Sequence, residues 1–544
     1  MPLPTTPVVP LPPPPPLHMG TGTGTHDATV LDLFDAVVSQ FGDREAMVEC
    51  TGVDDDGTVT TRRITFATWA AAADAWAADM VAAGVQPGDV VAITLPSGID
   101  FAVAHHAAVR AGAVATGINT RLGPAERRHI LDACTPALVI DEAPDDLDTL
   151  AAKGDPQRRL VHCTATDPVV IVWTGGTTGL PKGVVFDHLC LATMAQGAAP
   201  LSAMGDRRLS PLPFSHVGTM TRTWDEWSHL ITTVVTPTPW SPAATAALLL
   251  NEGITVCQGV PTQYTLLCDY LEQHSVDPSQ LSDLRIAGIG GARIPPELVL
   301  RIEAVLGCPV VARYASTESV IATGTQPGDD IDVVCTTVGR PNGPVQMRIV
   351  DDDGNTLAPG PDNVGTVTLR SRAVMRCYLD DPDRTAEAVD ADGWLRTGDL
   401  GWVGDDGNLR LVGRTTEMYI RGGYNVYPAE VENCLGQHPA IAAAAVVGAH
   451  APHSALGEVG VAFVVPAAGE PAPDTDAIRQ HVTTQLASYK APDIVVITNE
   501  LPLTTIGKID KSALQVRADQ EASTWHRPTQ GSPTTQGSPP TQAS

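Results

Sequence analysis

Short β-branched runs alternate with Ala/Leu-rich stretches along most of the chain. VVAITL (90–95), VVIVWT (169–174), ITVCQGV (254–260), LRIAGI (284–289) and VVARYA (310–315) are apolar at successive positions rather than alternate ones. Strands of that kind have both faces covered, as in a parallel sheet between helices. One helix is expected from Trp69 to Ala83, stopping at Gly84 with Pro87 beyond, and another from Phe101 to Ala111. From about residue 415 the units become smaller: AAAVVGA, GVAFVV, a helix near Asp474 to Leu486, then IVVITN. That order predicts a compact α+β domain of about 100 residues. The expected fold is α/β: a large N-terminal domain of parallel-rich sheets packed with helices, plus a small C-terminal α+β domain.

The two ends read differently. Residues 1–26 hold MPLPTTPVVPLPPPPPL and then GTGTGT, and the stretch after 518 repeats TQGSP twice. Neither has a core-forming pattern, so both are expected to be disordered tails at 1–26 and 518–544. The domains between are expected at 27–414 and 415–517. The first Lys or Arg is Arg44, so residues 1–26 lack the charged start of a signal peptide.

Composition narrows the partners. With 34 Lys plus Arg against 62 Asp plus Glu, the 544-residue chain carries a net charge of −28. A negative field argues against a nucleic-acid partner or a polybasic membrane surface. No window has 18 uninterrupted apolar residues, so no integral membrane segment is expected. Ten cysteines stand no closer than 11 residues apart, which excludes a zinc ribbon and a disulfide scaffold and suits the cytoplasm. Only five lysines occur, Lys153, Lys182, Lys490, Lys508 and Lys511. Such scarcity favours lysine where a flexible amine does what guanidinium cannot.

The densest chemical signal follows a buried strand: Thr174-Gly175-Gly176-Thr177-Thr178-Gly179-Leu180-Pro181-Lys182-Gly183. Glycines turn backbone N–H groups toward an anion, hydroxyls add donors and Lys adds charge, so nucleotide phosphates are the natural guest. Pro181 before Lys182 departs from a Walker A loop. Gly288-Ile289-Gly290-Gly291-Ala292-Arg293 fails as a dinucleotide fingerprint, because Arg293 stands at the third glycine position. His105-His106 is expected on a packed helix face.

As an ordered set, these residues resemble the adenylate-forming superfamily of acyl-CoA synthetases, aryl-CoA ligases, adenylation domains and luciferase. The resemblance runs from about 30 to 516. TGGTTGLPKG (174–183) is similar to the phosphate loop, with Gly175 in place of a usual serine. PLPFSHVG (211–218) is similar to the acyl-pocket motif. Gly290-Gly291-Ala292 and Tyr314-Ala315-Ser316-Thr317-Glu318 resemble the adenine stretch and the Y-G-x-T-E motif, with Ala315 for Gly. Thr397-Gly398-Asp399 and Gly413-Arg414 resemble the ribose-binding pair. RGGYNVYPAEVE (421–432) and PLTTIGKIDK (502–511) resemble two motifs of a mobile C-terminal domain, with Thr416 at the hinge where Asp or Lys is usual.

The resemblance implies roles. Tyr314 stacks on adenine, with Gly290, Gly291, Ala292 and Ser316 around it. Asp399 and Arg414 hold ribose. Thr174, Gly175, Gly176, Thr177, Thr178, Gly179, Lys182 and Thr317 bind phosphate. Glu318, with Thr177, holds Mg²⁺, a hard-oxygen task. Lys508 stabilises charge between the attacking carboxylate and the α-phosphate. His216 and its neighbours to Thr223, Gly288-Ile289 and Tyr314–Ser316 wall the acid. Gly422 and Gly423 serve the thiol step. The implied activity uses ATP, Mg²⁺ and coenzyme A to turn a small carboxylic acid into acyl-AMP and then acyl-CoA. The alternative acceptor is a separate carrier protein, since no carrier-domain serine motif follows Lys511. A homodimer is also compatible with the resemblance.

Overall fold

The computed structural model describes residues 28–525, except 55–56, 157, 175–180, 293, 423, 453, 455, 468–472 and 505–507. The tail expected at 1–26, and the part from 526 onward of the one expected at 518–544, lie outside the described residues. The chain divides into two compact units, Met1–Thr415 with Leu503–Ile509, and Thr416–Pro502 with Asp510–Ser544.

The apolar runs form strands as expected. In the large unit, Val256–Gly259, Ile286–Gly290 and Val310–Tyr314 lie side by side and parallel in a nine-stranded sheet. A six-stranded sheet places Val90–Ile93, Val114–Gly117 and Pro168–Thr174 in parallel, with Lys182–Asp187 antiparallel to Pro168–Thr174 and Cys377–Tyr378 antiparallel to Lys182–Asp187 in turn. Helices Phe66–Ala82 and Ile99–Arg110 fall on the predicted stretches. His106 packs edge-on to Phe34 and near Trp227, so the histidine pair belongs to the core.

A third sheet was not predicted. Gln346–Val350, Gly365–Arg370, Leu395–Val403 and Leu409–Arg414 pair antiparallel throughout. One face is buried through Ile349, Val367, Leu369 and Leu409, while Gln346 is exposed and Thr366 half-buried. A sheet with one apolar face needs only alternate hydrophobics, a weaker signal than a continuous run.

The small unit is a three-stranded sheet, Ile441–His450, Glu458–Pro466 and Ile494–Ile497. Alternation along the strands sends Val446, Ala462 and Val464 toward helices Pro428–Leu435 and Thr475–Gln485. Ala445, Val447 and Phe463 face the last helix, Lys511–Thr524. The expectation of a tail from 518 is corrected here. Leu514, Ala518 and Ala522 recur every fourth residue, share one helix face and are fully buried against the sheet. Among the described residues no helix is long and apolar enough to cross a membrane.

Candidate active site

The C-terminal ends of Ile286–Gly290 and Val310–Tyr314 bring two of the selected stretches together, because Gly290 pairs with Arg313. Ligands of open α/β sheets bind at such ends. A Cβ at Gly290 would come within 2.5 Å of the Arg313 carbonyl oxygen, so no side chain fits there. Gly291 follows with φ 79°, and a Cβ there would lie 3.4 Å from Lys508 Cε. Ala292 is exposed just beyond. The result is bare backbone with a lysine beside it.

Tyr314 donates its hydroxyl to Asp399 Oδ2 at 2.5 Å, and Arg414 Nε meets Asp399 Oδ1 at 3.0 Å. The second contact follows from the hairpin of Leu395–Val403 and Leu409–Arg414, in which Asp399 and Arg414 are direct partners. Asp399 is only 5% exposed. Its carboxylate is therefore fixed from both sides. Burial, together with the Asp399 charge, holds the Tyr314 phenol well above its usual range, so it remains a donor.

Lys508 is partly buried. Desolvation, with the nearby Arg414 charge, pushes its pKa below the ordinary lysine value, and Asp399 opposes the shift. His216 caps the turn Val217–Met220, and its Nδ1 accepts the Gly218 N–H at 3.1 Å. The neutral ring must then carry its proton on Nε2. Burial, reinforced by Lys508, lowers the His216 pKa to about 4.

Ser316 to Val320 form a tight turn. The Ser316 N–H donates to Ser319 Oγ at 3.0 Å, and the Val320 N–H to the Ser316 carbonyl at 3.0 Å. Val320 has φ 57°, a left-handed conformation costly for a β-branched residue. Thr317 is half-buried within this turn. Glu318 Oε1 accepts the Tyr378 hydroxyl at 2.8 Å, and Lys182 Nζ stands 5.5 Å from the Tyr378 ring centroid. Tyr378 was missed in the sequence. It reaches the site because Cys377–Tyr378 pairs with Lys182–Asp187, a contact with no local signature.

Thr174 and Lys182 are cross-strand partners, so the two ends of the glycine-rich stretch meet at one place on the sheet. Gly175, Gly176, Thr177, Thr178 and Gly179 lie outside the described residues, as does Gly423. In the small unit, Gly422 turns the hairpin of Tyr419–Arg421 and Tyr424–Val426, donating its N–H to the Leu456 carbonyl at 2.8 Å. Arg421 anchors this hairpin through two 2.7 Å bonds to Asp493, whose side chain is 2% exposed. Asp493 was also missed, lying 72 residues away in sequence.

A cavity of about 490 Å³ opens elsewhere in the large unit, between Leu189–Ala199 and Trp224–His229. None of the residues above lines it.

Comparisons with known proteins show the family. The sequence model of the AMP-binding enzyme family matches residues 34–379, and that of the AMP-binding enzyme C-terminal domain matches 430–508. A relative from Mycobacterium tuberculosis, 3-[(3aS,4S,7aS)-7a-methyl-1,5-dioxo-octahydro-1H-inden-4-yl]propanoyl:CoA ligase, is 35% identical over 526 residues, covering 90% of this chain and 98% of that one. Indoleacetate–CoA ligase from Aromatoleum aromaticum is 33% identical, covering 83% and 92%. Among solved structures, ATP-bound MatB from Rhodopseudomonas palustris superposes with a TM-score of 0.81 at 25% identity, covering 91% of this chain and all of that one.

Proposed function

Because this chain belongs to the AMP-binding enzyme family, we propose that Tyr314, Asp399, Arg414 and Lys508 hold ATP against the Gly290-Gly291 backbone while a carboxylic acid is adenylated. The enzyme is an AMP-forming acid–thiol ligase. A carboxylate oxygen attacks the α-phosphorus, the bond to the bridging oxygen breaks, and pyrophosphate leaves. The coenzyme A thiolate then attacks the acyl carbonyl and AMP departs, leaving the thioester.

Each role follows from a contact. Each Asp399 oxygen carries one protein bond and keeps a lone pair, so the carboxylate can take both ribose hydroxyls without moving. Lys508, beside Gly291, supplies positive charge to offset the negative charge that develops on the phosphate oxygens in the transition state. Lys182 and Thr174 deliver the phosphate loop, with Thr177 and Thr178 as its hydroxyl donors. Glu318 fits Mg²⁺: it is one hard carboxylate held by Tyr378, and Mg²⁺ keeps waters and phosphate oxygens rather than needing a protein cage. Bound there, the ion would neutralise phosphate charge. Neutral His216 can donate only through Nε2, toward the acid. Gly422 and Gly423 serve the thioester step.

The observation that carries this reading is the Tyr314–Asp399–Arg414 cluster next to Lys508 and the bare glycine backbone. The test is acid-dependent pyrophosphate release with ATP, using a panel led by ring-bearing acetates and propanoates, the kind named for the two relatives. Mass spectrometry should then find acyl-CoA when coenzyme A alone is supplied. Release of pyrophosphate without thioester would point instead to a carrier-protein thiol as acceptor. No release with any acid would overturn the reading.

A further inference from the structure

Two of the buried polar atoms that lack a hydrogen-bond partner among the described residues are Thr223 Oγ1, on the wall expected to enclose the acid, and Gln258 Nε2, on the strand paired with the Gly288-Ile289 part of that wall. Orphaned buried donors are rare in native proteins and call for a cause. The position of Gln258 suggests one. It stands next to the C-terminal end of Val256–Gly259 and is the register partner of Gly288. Its Cγ lies 3.6 Å from where a Gly288 Cβ would be, and Leu201 closes the other side at 2.9 Å. The absence of a side chain at Gly288 is what lets Leu201 close over that strand, with the Gln258 stem in ordinary contact beside it.

Distance along the sheet then assigns what the amide can meet. From Gly288 to Gly291, where Lys508 stands, is three residues, about 10 Å, and Gln258 is one strand over, about 5 Å. The Gln258 backbone is thus on the order of 10 Å from Gly291 and Lys508, a spacing that suits the acyl part of the acid rather than its carboxylate. Thr223 begins the helix Thr223–Ser228, seven residues after His216 on the pocket motif, and is buried with its hydroxyl unmatched.

We propose that Gln258, assisted by Thr223, donates a hydrogen bond to an oxygen carried on the acyl part of the acid, and so selects oxygenated acids over plain hydrocarbon ones. This rests on the adenylation reading above. A pocket built to pair a substrate oxygen rejects the analogue lacking it, because its own polar groups are then left unmatched.

The experiment uses matched acids: ring-ketone acids with the carbonyl at successive distances from the carboxylate, each against its methylene counterpart. The readout is the ratio of kcat/KM values for acid-dependent pyrophosphate release. The wild-type ratio should reach about 10- to 100-fold for the best-placed ketone. Gln258→Leu and Gln258→Met should bring it to within about threefold of unity, and Thr223→Val should reduce it less. General damage to the fold lowers both acids together and leaves the ratio in place. A wild-type ratio near unity for every pair, or a ratio that survives both Gln258 variants, overturns the assignment while adenylation stands. No pyrophosphate release with any acid overturns both.

Discussion

Lys508 stands against Gly291 in a partly desolvated place, where its charge acts more strongly on a phosphate than it would in water. Lys508→Ala should lower acid-dependent pyrophosphate release by on the order of 10² or more. The melting temperature should move by no more than about 2 °C, since the residue fills no core site. Adenylation within about threefold of wild type would remove Lys508 from the mechanism. Tyr378 acts one step back: it holds Glu318 by a single hydroxyl bond, so it positions the carboxylate. Tyr378→Phe keeps the ring and removes that bond. The magnesium concentration for half-maximal activity should rise several-fold while kcat at saturating magnesium falls less than threefold. A change in kcat alone would mean that Tyr378 does not act through Glu318.

At the scale of elements, the last helix of the small unit shows how little hydrophobicity a packed face requires. Leu514, Ala518 and Ala522 are fully buried against the strand face of Ala445, Val447 and Phe463. Ala518→Glu places a charge where no water reaches, so the helix should detach, at a cost of about 3–5 kcal/mol. Hydrogen exchange should show protection lost throughout Lys511–Thr524, whereas Ala518→Ser should lose far less. Retained protection with Glu at 518 would mean that the helix is not docked on this face. The buried Arg421–Asp493 pair likewise fastens the hairpin bearing Gly422 to the sheet.

For the whole molecule, four desolvated histidines, His105, His106, His188 and His216, set the response to acid. Burial lowers His105, His188 and His216 to about 4 each, from the 6.5 of a solvated histidine. Between those values the unfolded chain binds more protons than the folded one, so stability falls as the pH drops from about 6.5 toward 4 and is flat with respect to these groups above 6.5. Each contributes on the order of 1–3 kcal/mol across that window. Urea unfolding at stepped pH should show this loss, and His105→Leu should remove about one proton from the slope. A midpoint constant from pH 7 to 4.5 would show that these rings are not neutral and buried in solution.

Continuous apolar runs by themselves specified the parallel strands, because covering both faces leaves a purely local signature. The motif order was equally plain: a glycine-rich loop, the Y-A-S-T-E turn and the G-K near the end are chemistry written in consecutive residues. The antiparallel third sheet was not readable, since alternating patterns with half-exposed positions resemble loops. The end of the last helix, from 518 on, reads as tail in the sequence because alanine every fourth residue gains from burial only when a sheet face is there to receive it. Tertiary structure alone decided which distant groups meet. Tyr314 and Asp399 are 85 residues apart, Glu318 and Tyr378 60, and Arg421 and Asp493 72. Such pairs depend on strand order and register. No spacing along the chain encodes them, since side-chain periodicity reports which face a residue takes and not which strand will lie beside it.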